Sequence, residues 1–204
     1  MFNDPQNKCR TTLAPHAETL WTIPHRAWER YNALPDRRAL AAQPRARANV
    51  VWAYMLDEAN EHLARLPDVR VIDAYQSPTF LIAGEVHVRF KLLDAHGRSR
   101  NFPTQRAKLY NENLPLEGIS PSAIRVDVGY RLNDLQTSIA AIEVSHRAGA
   151  KIAWRFSLDQ PAAAMVIPIQ PTLDSEVEYV PVVRPRRTEK EKGVIRLLQA
   201  TDDE

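Results

Sequence analysis

The sequence predicts an α+β fold on three observations. An apolar stripe of helical period runs from about Arg45 to Leu66, the period switches to two from Val69 onward, and three alternating runs with short loops lie between Ile124 and Leu158. The expected architecture places N-terminal helices on one face of a mainly antiparallel sheet of about five or six strands, with an extended Pro-rich C-terminal tail. Residues 1–15 read as a flexible leader, 16–158 as a single α+β domain, and 159–204 as the tail, suited to docking on a partner.

Taken in order, the leader is polar and bracketed by Pro5 and Pro15. A helix is predicted from Pro24 to Leu34, with Thr22 as its N-cap and the proline in the first turn, where its missing N–H costs nothing. Pro35 ends it. The next helix, 45–66, lines up Ala48, Val51, Trp52, Met55, Ala59, His62, Leu63 and Leu66. Arg47, Asp57, Glu58, Glu61 and Arg65 form its polar side, and Pro67 closes it. Val69, Val71, Asp73 and Tyr75 then alternate as a strand. The apolar run 79–83 follows, and Gly84 marks a bulge or bend. Val86, Val88, Phe90 and Leu92 face one way and Glu85, His87, Arg89 and Lys91 the other, the pattern of a sheet with one wet side. A short helix is expected over 104–113, capped by Thr104. The runs 124–132, 137–145 and 152–158 have loops too short for parallel crossovers, so they read as an antiparallel meander.

Composition narrows the classes. The chain has 204 residues, 44% hydrophobic and 25% charged, with a formal net charge of +2, so it reads as an ordinary globular domain with no case for broad nucleic-acid binding. No apolar run approaches the roughly 18–20 residues of a membrane span. Met1-Phe2-Asn3-Asp4-Pro5 lacks the pattern of a secretory signal, which predicts a cytoplasmic protein. The single cysteine, Cys9, makes no internal disulfide and no Cys-based zinc site, and is expected as a thiol in a frayed terminus.

Motif chemistry is mostly excluded. There is no G-x-S-x-G elbow. The six glycines are too far apart for a phosphate loop, and His16, His25, His62, His87, His96 and His146 are scattered without H-E-x-x-H. No metal or cofactor is expected. A nuclease-like alternative would pair Asp73 with Glu85 on neighbouring strands around a divalent ion, with His87 where a lysine usually assists. A cluster of arginines, Arg30, Arg37, Arg38, Arg45 and Arg47, suggests a second alternative, DNA binding as an autoregulator through Arg37, Arg38, Arg45 and Arg47. Tyr31 follows Arg30, and no aromatic residue lies between Arg37 and Arg47.

The segments Arg89-Phe90-Lys91 through Asp94, Asn101 with Pro103 and Thr104, Gly129-Tyr130 and Trp154 occur in an order that resembles a family of small bacterial proteins of toxin–antitoxin and phage-defence loci. Its members accompany helix-turn-helix proteins carrying an ImmA/IrrE-type zinc peptidase domain, as in RosmerTA-like systems. The resemblance covers roughly residues 45–158. It implies a non-enzymatic antitoxin that binds and neutralises a cognate peptidase-like toxin. Phe90, Tyr130 and Trp154 are expected in the core. An interface of about 800 Å² per partner needs a few aromatic or arginine anchors. The expected anchors are Arg89, Lys91, Arg125, Arg131 and Arg155 on the wet sheet face, with Tyr179 and Val180 of the tail as strand-addition contacts. The apolar islands of the tail suit self-pairing into a homo-oligomer as well.

Overall fold

The computed structural model describes residues 4–73, 78–99, 104–116 and 118–160. The tail with Tyr179 and Val180, and Asn101 with Pro103, lie outside the described residues.

The expected leader is a helix, α1 (Pro5–Leu13). Asp4 caps it by accepting from the Gln6 amide at 3.0 Å, and Pro5 occupies the first turn, a start signal written in two residues. Cys9 and Leu13, one turn apart, are both buried. Cys9 is therefore a core side chain, and burial pushes its thiol up to about 12. It is expected to resist a thiol-reactive dye in the native protein and to react stoichiometrically once the chain is unfolded in urea.

A short 3₁₀ turn (Ala14–His16) leads into α2 (Ala17–Asn32), seven residues earlier than the expected start at Pro24. Pro24 sits inside the helix and removes one backbone bond. The packing of Leu20, Ile23, Ala27, Trp28 and Tyr31 outweighs that cost of about 3 kcal/mol. After α3 (Arg37–Ala41), α4 (Pro44–Glu58) carries Val51 and Met55 into the core. It then widens into a π turn over Ala59–Leu63, where the Ala64 amide bonds the Ala59 carbonyl at 2.8 Å. Two residues expected on the polar side of this helix, Arg47 and Glu58, are buried. Glu58 faces α2, where Arg30 lies at 2.9 Å and Arg26 at 3.8 Å.

The sheet contains β1 (Val69–Ile72), β2 (Thr79–Ile82), β3 (Val86–Leu92), β4 (Ile124–Leu132), β5 (Ile139–Ala148) and β6 (Lys151–Leu158), in sequential order. All neighbours are antiparallel except β3 and β4. That one parallel pair exists because a crossover containing α5 (Gln105–Asn111) returns the chain to the end where β3 began. Gly84 marks the expected bend, in the three-residue loop 83–85 between the paired Ile82 and Val86. Ala83 and Gly84 have φ of 50° and 69°, and the Glu85 amide bonds the Ile82 carbonyl at 2.9 Å, the geometry that matches strand twist.

The main core lies between the helices and one sheet face, where Phe80, Val88, Phe90, Val128, Tyr130 and Val144 are all buried. The opposite face, expected wet, is roofed in part. Tyr110 of α5, with Ile119, Ala123 and Leu81, forms a second small core there. Among the described residues no helix is long and apolar enough to cross a membrane.

Candidate functional site

The charged face of the sheet is built from outward positions of β3 to β6. Register sets Arg89 opposite Asp127, Asp127 opposite Ser145, and Ser145 opposite Arg155, a row running across four strands. Under α5 this row is interior. Arg89 Nε and Nη2 lie 2.8 and 2.7 Å from Asp127 Oδ1, and Ser99 Oγ donates to Asp127 Oδ2 at 2.9 Å. Asn111 Oδ1 accepts from Arg89 at 3.1 Å, and the guanidinium lies 3.5 Å from the centre of the Tyr110 ring. Arg125 is buried too and donates to the Leu109 carbonyl at 3.1 Å, placing a cation against the C-terminal turn of α5. Arg89 and Arg125, expected as exposed anchors, are thus structural. The sequence pattern could not show this, because period-2 alternation says which residues share a face but not what covers it.

His87 shows the electrostatic result. It is fully buried, with Nε2 3.1 Å from Thr79 Oγ1, whose own proton goes to the Ile72 carbonyl at 3.1 Å. Tyr110 Oη donates to the His87 carbonyl at 2.8 Å. Burial, then the charges of Arg125, Arg89 and Arg106, pull the ring down to about 3, so it stays neutral. The unfolded chain takes up that proton near the ordinary value of 6.5, so acid favours unfolding. Stability is expected to fall by about 1.4 kcal/mol per pH unit below that point. Urea titrations at stepped pH check this, with His87→Gln losing the slope.

Toward the far side of the sheet the face opens. Glu143, itself buried, holds Arg131 Nε at 3.4 Å and Arg155 Nη1 at 3.6 Å, and these two side chains are 34% and 45% exposed. Arg155 also donates to the Ala95 carbonyl at 3.0 Å. Lys91 lies mostly inside, with Nζ 5.6 Å from the centre of the Trp52 ring. Burial, then Arg89, lowers it to about 8.

The remaining motif residues are placed as structural parts. Phe90 is core, edge-on to Phe80 with centroids 5.7 Å apart. Asp94 closes its turn by accepting from the His96 and Arg98 amides, each at 2.9 Å. Burial pushes its carboxyl up, but those donors hold it below the usual range. Thr104 caps α5. Gly129 lies against β3, where the Lys91 backbone leaves no room for a Cβ, and Tyr130 is fully buried. Trp154, expected in the core, is only half-buried on the edge strand, stacked on His146 at 4.9 Å.

Asp73 and Glu85 do not converge. Asp73 follows the Ile72–Thr79 pair and Glu85 precedes the Ile82–Val86 pair, so they stand at opposite ends of β2, on the order of 10 Å apart or more. Glu85 is instead engaged by Lys8 at 3.0 Å and Thr12 at 3.0 Å. Among the described residues no group of three or more His, Cys, Asp or Glu is placed to hold a metal. The arginine cluster divides as well. Arg37, Arg38 and Arg45 are exposed, Arg30 is paired with Asp57 at 2.7 Å, and Arg47 is buried with Nη2 donating to Gln136 Oε1.

Sequence reasoning missed Asp127, Glu143 and Tyr110, which organise this face. The two acids occupy outward strand positions, which was a visible signal, but their partners depend on strand order. Compared with protein-family models, curated proteins and solved structures, the chain matches none of them.

Proposed function

We propose that this chain is a non-enzymatic binding protein, the cytoplasmic antitoxin of a toxin–antitoxin pair, and that it docks its cognate toxin through the open part of the charged sheet face. One observation carries the docking site: buried Glu143 of β5 holds two partly exposed arginines, Arg131 of β4 and Arg155 of β6, which reach it from either side. Arginines fixed in this way lose little entropy on binding and suit an acidic or carboxylate-bearing surface. The resemblance of the Arg89–Asp94, Thr104, Gly129-Tyr130 and Trp154 segments to antitoxin-like proteins supports the identity of the partner. The buried Arg89 and Arg125 do not belong to the interface.

The test is co-expression with the product of the adjacent gene. Rescue of growth and co-purification are expected. Arg131→Gln with Arg155→Gln, combined with Glu143→Gln so that no buried carboxylate is left uncompensated, should weaken capture by at least roughly tenfold, about 1.4 kcal/mol, while the variant still unfolds cooperatively. A triple variant that folds and still captures and rescues would remove this face from the interface. Failure of the unaltered chain to rescue or bind would remove the antitoxin reading itself.

A further inference from the structure

A second site lies away from that face. A cleft of ≈ 280 Å³ opens beside α2, α3 and the β4–β5 turn, lined by Trp28, Tyr31, Arg37, Arg47, Asp134 and Gln136, among others. Its inner wall is Arg47, which is 5% exposed. The other buried arginines contact a carboxylate or a helix-end carbonyl, but among the described residues Arg47 has no carboxylate within ion-pair distance. Among the described residues its hydrogen bond runs from Nη2 to the amide oxygen of Gln136, and its Nε has no partner. The Tyr130 hydroxyl, another buried donor, is also unpartnered among the described residues; burial pushes its ionisation well up, and the Arg47 charge offsets part of that. A buried guanidinium with no counter-charge is costly, because desolvation of the ion is not repaid by attraction. Gln136 is held with φ of 55°, a left-handed backbone that non-glycine residues seldom adopt. Arg37 stands exposed at the mouth. The cleft carries two cations against Asp134, a net charge of +1 (2 − 1).

We infer that this cleft binds a small organic anion, its carboxylate or phosphate head on Arg47 and Arg37 and its flat or apolar body on Trp28 and Tyr31. Both head groups present the oxygens that a guanidinium fork recognises, and a charge-assisted hydrogen bond there supplies the missing partner of Arg47. The aromatic wall explains why an organic anion suits the site better than a bare inorganic one. The site is distinct from the Arg131–Arg155 face and does not depend on the antitoxin reading.

The test titrates the full chain with benzoate and with phenyl phosphate, against chloride at matched ionic strength and against neutral benzyl alcohol. Tryptophan emission and Tm are followed. Expected is a saturable emission change with a rise in Tm for one or both anions and none for the two controls; the stronger anion identifies the head group. Arg47→Met should abolish the response, Arg37→Ala should weaken it roughly tenfold, and Asp134→Asn should tighten it. Should Arg47→Met fail to fold, the exposed Arg37 and Asp134 variants carry the test. No saturable response to either anion, an equal response to benzyl alcohol, or a response untouched by Arg37→Ala and Asp134→Asn overturns the inference.

Discussion

Asp127→Ala is expected to lower stability by about 3–5 kcal/mol, read as a fall in the urea midpoint and in Tm on the order of 10 °C. The carboxylate is 2% exposed and is the acceptor for both Arg89 and Ser99. Removing it leaves a buried guanidinium pressed between the sheet and the Tyr110 ring with Asn111 as its acceptor among the described residues. The cost is therefore that of an uncompensated charge and not simply of a lost contact. Replacing both partners, Arg89→Met with Asp127→Leu, should recover much of the loss, because an apolar pair under α5 has no charge to desolvate. A double variant as unstable as the single one would show that the pair does more than neutralise itself.

Gly129→Ala should cost about 3 kcal/mol by crowding the parallel junction of β3 and β4. A Cβ there would lie 2.4 Å from the Lys91 carbonyl oxygen and 2.6 Å from Leu93 Cγ. The first of these is backbone in the paired strand, so no rotamer change relieves it. Gly84→Ala is the comparison. Its φ of 69° carries strain, but nothing lies within 4 Å of the added methyl, and the expected cost is about 1 kcal/mol. Equal midpoints for the two variants would show that β3 and β4 separate more easily than their contact implies.

Much of the secondary structure was legible in the residues. Thr104 announced α5, the alternation of Val86 to Leu92 announced β3, and the short turns after Leu132 and Ala148 announced the meander. Two local signals were present and under-read. Asp4-Pro5 is a helix start, and Leu20, Ile23, Ala27 and Trp28 continue one helical stripe across Pro24. In both places the chain's own periodicity outweighed the polar composition or the proline that argued against a helix.

The candidate sites were less legible. The sequence by itself determined the α+β class, the strand faces and the outward placement of Arg89, Arg125, Arg131 and Arg155, because these follow from periods of 3.6 and 2 along the chain. Only the tertiary structure decided which of those arginines reach solvent. The crossover helix laid Tyr110 over Arg89, Asp127 and Arg125 and left Arg131 and Arg155 at the open side on Glu143. The β4–β5 turn likewise meets Arg47 of α4 from the inside, through a glutamine 89 residues away in the chain. Burial and counter-charge are set by elements distant in sequence, and a local pattern holds no record of what will pack against it.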